Sequence, residues 1–167
     1  MNEQVLENYE INDKTMAVLS AAHTDYYSIV LEGNRKLYVK KTTMELIKIA
    51  CLEGGAGYNG RRASVTYLTG IQRKVPIPIN EGKNIYAFPT QSPSQFGCHW
   101  IFPSHIRNLA LDPYTKNGCL VIFKNSKIIS LDVSIKSIEK QIHRTSHCVC
   151  MFTQQCANTD TEDAVPR

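Results

Sequence analysis

The chain contains no unbroken apolar run long enough to cross a bilayer, and its first ten residues hold three glutamates and no cation. A membrane span takes about 20 apolar residues and an export signal opens on positive charge, so no membrane association is expected and the cytoplasm is the expected compartment. The signatures of common catalytic centres are missing as well. There is no HExxH pair, no nucleophile elbow and no paired-carboxylate pattern, so an enzyme is not expected. Six cysteines occur without a CxxC pair; in a chain without an export signal they are expected to be reduced thiols. Aromatic residues are sparse at 8%, with one tryptophan, but 43% of residues are apolar and 20% charged. At 167 residues that is enough to bury one core. One domain over residues 1–153 is expected, followed by a short polar, disordered tail over 154–167.

The net charge of +4 is small, but it is unevenly placed. Residues 1–34 carry a net −5, residues 35–74 a net +7, residues 75–153 a net +4 and the remainder −2. Positive charge concentrated in one section suits a polyanion-binding face, although a solvated basic surface would look the same. Within that section lies Gly54-Gly55-Ala56-Gly57-Tyr58-Asn59-Gly60-Arg61-Arg62-Ala63. Glycines permit positive φ and close approach of backbone amides to a ligand, and guanidiniums match phosphate geometry. The stretch reads as a contact loop for an anionic polymer or, equally, as a flexible connector. Its Gly55-x-x-x-x-Gly60 spacing is that of a nucleotide-binding P-loop, but Arg61 and Arg62 stand where Lys and Ser/Thr are required.

Tyr9–Ile11 and Thr15–Leu19, separated by Asn12-Asp13, predict a short antiparallel pair. Tyr26–Leu31 and Lys36–Lys40 flank Gly33-Asn34 and predict a second. Thr42 or Thr43 caps a predicted helix running to about Glu53, which Gly54 and Gly55 stop. Ser64–Ile71 has the composition of a strand. The prolines in Val75-Pro76-Ile77-Pro78-Ile79 confine that run to a sheet edge or an extended connector. Ile85–Phe88 and Cys98–Phe102 follow as strands around a Gln91–Gly97 loop; Trp100 is a core anchor or, if exposed, a base-stacking ring. Ile106–Leu111, Cys119–Phe123 and Lys127–Leu131 predict a meander. Ile135, Ile138, Ile142, Thr145, Val149 and Phe152 repeat at helical spacing and predict a C-terminal amphipathic helix. The resulting fold class is α+β, mostly antiparallel sheet with a central helix and a C-terminal helix. His143, His147, Cys148, Cys150 and Cys156 cluster in sequence but lack zinc-site spacing, so no metal or other cofactor is expected.

Gly57-Tyr58-x-Gly60-Arg61-Arg62-Ala63, Thr69-Gly70-Ile71, Lys74-x-Pro76-Ile77, Phe88-Pro89-Thr90, Cys98-x-Trp100-Ile101 and Gln141-x-x-Arg144-Thr145 occur in this order. Together, over about residues 5–153, they resemble the ComK family of competence transcription factors from Bacillus and relatives. The resemblance implies a cytoplasmic, nucleoid-associated activator of DNA-uptake genes that binds paired A/T-rich boxes largely through the minor groove. It also implies assembly as dimers and tetramers on DNA, and control by a MecA-type adaptor and Clp protease. The chain departs from the family in a shorter C-terminus, which leaves open a divergent copy that modulates another protein with weak or no DNA binding. Charge and position nominate Arg61 and Arg62 as first DNA-binding candidates and Arg73 and Lys74 as second, since cationic side chains favour the narrow minor groove of A/T tracts.

Overall fold

Apolar residues at alternate positions before and after the central helices, and at three- and four-residue spacing in the C-terminal helix, favour a sheet with helices laid on it. The computed structural model describes residues 4–163, with side chains described as far as residue 153. The strands are β1 (Val5–Leu6), β2 (Thr15–Ser20), β3 (Ser28–Glu32), β4 (Arg35–Val39), β5 (Ile77–Asn80), β6 (Ile85–Pro89), β7 (Trp100–Ile101), β8 (Ile106–Leu111), β9 (Cys119–Phe123) and β10 (Ile128–Leu131). The helices are α1 (Thr43–Glu53), α2 (Tyr58–Thr69) and α3 (Ile135–Asp163). One sheet has seven strands in the order β1-β4-β3-β2-β7-β6-β5, and the other has three in the order β10-β9-β8. Every pairing is antiparallel except that of β1 with β4. The fold is α+β.

Period-two alternation sends successive side chains to opposite faces, so the large sheet feeds two cores. Val18, Val30 and Trp100 pack with Leu46 and Ile47 of α1 and Val65 of α2. Ala17, Leu31 and Ile101, their strand neighbours, pack instead with Val121, Phe123 and Leu131 of the small sheet and Ile138 of α3. Trp100 is fully buried, as a core anchor and not a stacking ring. The proline-containing β5 lies at the sheet edge, where a missing amide donor costs least.

α1 forms where the sequence placed it. Thr42 caps it through a hydrogen bond from the Glu45 amide, and the Glu45 carboxylate answers to the Thr42 amide. The reading of Ser64–Ile71 as a strand is overturned: Ser64 to Thr69 form the second half of α2 and Gly70 caps it, with two helices in the centre of the chain and not one. Val65, Tyr67, Thr69 and Ile71 alternate like a strand, but the buried positions of α2 are Arg61 and Val65, one helical turn apart, and Tyr67 is 88% exposed. A stripe with an arginine in it does not register as amphipathic. Gly70, at φ 80°, ends the helix in the left-handed conformation that glycine adopts without strain.

Tyr9–Ile11 is also not a strand. Tyr9 and Ile11 are buried, and side-chain hydrogen bonds take the place of a ladder: the Tyr9 hydroxyl meets Thr15 Oγ1 at 2.7 Å and donates to Glu32. α3 continues past Gln154 as far as Asp163, a stretch without glycine or proline.

Candidate nucleic-acid interface

Arg61 and Arg62 sit in the first turns of α2, not in a flexible loop. Cations there oppose the helix dipole, which is a local cost that some other interaction has to offset. For Arg61 that interaction is internal. The residue is 5% exposed, and its guanidinium donates to the carbonyls of Ala56 (3.0 Å), Pro78 (2.8 Å) and Cys51 (3.2 Å) and to Glu81 Oε1 (2.9 Å). The Cys51 carbonyl belongs to the last turn of α1, so Arg61 caps α1 while tying it to β5. Gly54 makes the approach possible: a Cβ there would stand 2.3 Å from the Ile79 carbonyl oxygen and 2.9 Å from Arg61 Nη2. The sequence nominates Arg61 as a DNA contact, but the folded chain encloses it. Its donors face the protein interior, and its role is to hold α1, α2 and β5 together.

Arg62 points the other way. It is exposed, and Nη2 donates to the Gln72 carbonyl at 3.1 Å, drawing α2 against the segment that carries Arg73 and Lys74. Those three cations line one open groove of about 710 Å³. Its other walls are Thr90–Pro93 and Gln95 from the loop after β6, and Val133, Ser134 and Ser137 at the start of α3. Among the described residues no carboxylate lines it, and neither Arg62, Arg73 nor Lys74 forms an ion pair.

The groove is held open by α3. Gln141, 1% exposed, donates to the Lys74 carbonyl at 2.9 Å and to the Pro89 carbonyl at 2.8 Å, joining both walls. Arg144 donates to the Arg73 carbonyl at 3.1 Å. Lys74 itself takes φ 49°, a conformation uncommon outside glycine and asparagine, and the bond from Gln141 to its carbonyl helps to hold it. At the floor, Ser134 Oγ accepts from the Ser137 amide at 3.1 Å. The remaining first-turn amides of α3 and its dipole add positive potential to that of the cations.

Behind the groove, the His99 amide donates to Thr90 Oγ1 and the Thr90 amide to the His99 carbonyl. His99 Nδ1 accepts the Ser20 amide at 2.9 Å, and burial pushes its imidazole below the ordinary 6.5. Burial likewise raises the thiols of Cys51 and Cys148 to about 11, which keeps them protonated and unreactive at neutral pH. Among the described residues no group of His, Cys, Asp and Glu could hold a metal ion, and no helix is long and apolar enough to cross a membrane.

Fold and groove define a mostly antiparallel α+β domain with an open cleft suited to polyanions. The chain belongs to the ComK protein family, which matches residues 6–157. It is 31% identical over 142 residues to the Competence transcription factor of Bacillus subtilis (strain 168), covering 84% of this chain and 73% of that protein. No solved structure matches it.

Three of the four residues nominated from sequence, Arg62, Arg73 and Lys74, share the groove, and Arg61 does not. Sequence reasoning quoted Gln141 in a family motif without giving it a place in the site, and it missed the Val133–Ser137 floor. Gln141 was findable as a polar residue one turn after Ile138 on the inward side of the helix.

Proposed function

We propose that this protein is a cytoplasmic, DNA-binding regulator of competence-gene transcription that engages A/T-rich duplex DNA through the groove lined by Arg62, Arg73 and Lys74. The observation that carries the reading is the convergence of three cations that, among the described residues, form no ion pair and meet no carboxylate in the groove, against the start of a long helix. Membership of a family whose Bacillus subtilis relative is a competence transcription factor supports it. Nothing catalytic is assigned to the chain.

Phosphates of the duplex meet the cations, and the exposed Arg62 is the side chain with reach to enter a minor groove narrowed by an A/T tract. Such contact distinguishes A/T from G/C pairs without reading a full base code. Binding as an oligomer on paired sites belongs to the same proposal. The alternative, a protein-interaction modulator without DNA affinity, receives less support. The α3 stripe that such a partner would use is already occupied within the protein: Ile138 is fully buried and Ile135 and Ile142 pack against the same core.

The test is a titration of an A/T-box duplex and a G/C-rich duplex at several salt concentrations, with wild type and an Arg62→Gln, Arg73→Gln, Lys74→Gln variant. Each phosphate contact contributes about 0.9 to the slope of log affinity against log salt. The triple variant is expected to lose between two and three units of slope and the A/T preference. A folded variant with the wild-type slope removes the groove from the interface, and a wild type that binds neither duplex rejects the DNA-binding reading outright.

A further inference from the structure

A second cationic surface lies at the other end of the same sheet. β2 and β6 run parallel to each other, each antiparallel to β7 between them. The loop after β6, which walls the groove, is therefore at the far end from the start of β2. At that far end three turns converge: Asn12–Lys14 before β2, Gly33-Asn34 between β3 and β4, and Lys124–Ser126 between β9 and β10. Asn125 Nδ2 donates to the Gly33 carbonyl at 2.8 Å, locking the last two together, and the Lys124 amide donates to the His105 carbonyl at 2.9 Å. His105 Nε2 in turn donates to the Asp13 carbonyl at 2.8 Å, joining the first.

Lys14, Arg35, His105 and Lys124, from four separate segments, line a depression of about 340 Å³ there. Among the described residues one carboxylate lines it, Glu32, and it is already engaged by Arg35 at 3.0 Å, by the Tyr9 hydroxyl and by Asn12. Lys14 and Lys124 are exposed and form no ion pair among the described residues.

We infer that this turn cluster is a second contact surface for the nucleic-acid phosphate backbone, used together with the groove; the inference rests on the DNA-binding reading above. The chemistry favours phosphate over an acidic protein. A protein partner needs an apolar anchor at the centre of its contact, but the apolar residues lining this depression, Met16 and Phe123, are 2% and 0% exposed. Phosphate asks only for long cationic side chains on a fixed frame. The three linked turns supply that frame.

A Lys14→Gln, Lys124→Gln variant changes two exposed side chains and leaves the bonds that lock the turns. Its thermal melt confirms folding, and a long mixed-sequence duplex is then titrated against wild type, this variant, the groove triple variant and the two combined. The salt slope is expected to fall by about 1.8 in the turn variant, 0.9 for each contact, and the losses of turn and groove variants to add. Wild-type binding with an unchanged slope in the folded turn variant overturns this inference and leaves the groove reading standing. Absence of duplex binding by wild type overturns both. Polyglutamate serves as a second probe: loss of its binding in the turn variant, with the DNA slope intact, assigns the surface to acidic proteins and likewise overturns the proposal.

Discussion

The junction of α1, α2 and β5 and the groove at the start of α3 each take an arginine from the same pair, and treat it in opposite ways. At the junction, Arg61 is enclosed, with four acceptors within 3.2 Å. At the groove, Arg62 keeps one hydrogen bond to a backbone carbonyl and leaves the rest of its guanidinium to solvent. Successive residues on a helix point about 100° apart, so one of the pair faces the core when the other faces out. Charge count alone therefore overstates the cation available to a ligand. What matters is whether the protein's own carbonyls and carboxylates have already claimed it.

The largest expected effect breaks this contrast at the buried member. Arg61→Met leaves Glu81 and the Ala56 and Pro78 carbonyls without this donor, while the Cys51 carbonyl keeps the Ala56 amide. Removing one partner of a buried pair costs about 3–5 kcal/mol, and because the Glu81 side chain is 35% exposed the low end applies. Urea unfolding should show a loss of about 3 kcal/mol, with the DNA salt slope of the folded fraction unchanged. Arg62→Ala should do the reverse, shifting stability by no more than about 0.5 kcal/mol while lowering the slope by about 0.9. Similar stability losses in both variants would abolish the distinction.

A smaller effect is expected at Gln141, where stability and site meet. Gln141→Leu fits the apolar stripe but strands the Lys74 and Pro89 carbonyls, a loss of about 2 kcal/mol for unpaired buried acceptors. Since those carbonyls belong to opposite walls of the groove, duplex affinity should fall as well, although Gln141 is buried and far from reaching DNA itself. Gln141→Glu, similar in shape but unable to donate when ionised, should lose as much. Wild-type stability in both variants would mean that water satisfies the carbonyls and that α3 does not hold the walls.

The elements that could be read from sequence are those whose signals are local. The Thr42 and Glu45 box sets the start of α1, Gly33-Asn34 sets the β3–β4 turn, and the β8–β10 meander follows from alternation. α2 was hidden because its inward stripe includes Arg61, and because Val65, Tyr67, Thr69 and Ile71 mimic a strand. The groove was half visible. Arg62, Arg73 and Lys74 stand out as cations, but Thr90 and Ser134 line it, and Gln141 ties its walls, only through strand order and the path of α3, which no local pattern encodes. The same holds for Lys14 and Lys124, which are unremarkable until two hairpins are seen to share a hydrogen bond.

The smallest effect concerns the groove's rear support and sharpens the comparison by pH. His99 must stay unprotonated at Nδ1 to accept the Ser20 amide, and its folded pKa is depressed by burial. The unfolded chain binds a proton there near pH 6.5, before the folded one does. Stability from this group is thus complete above about pH 6.5 and drains as pH falls through the depressed folded value. For a single half-buried imidazole the loss between pH 6.5 and 5.5 is at most about 1 kcal/mol. Urea unfolding at pH 7.5 and 5.5 should show this dependence in wild type and a weaker one in His99→Asn, whose amide oxygen can still accept the Ser20 donor but does not titrate. Among the described residues the junction holds no imidazole, so Arg61→Met should lower stability at both pH values. If His99→Asn keeps the full wild-type dependence, protonation at Nδ1 is not what loosens the tie between β2 and the Thr90 wall.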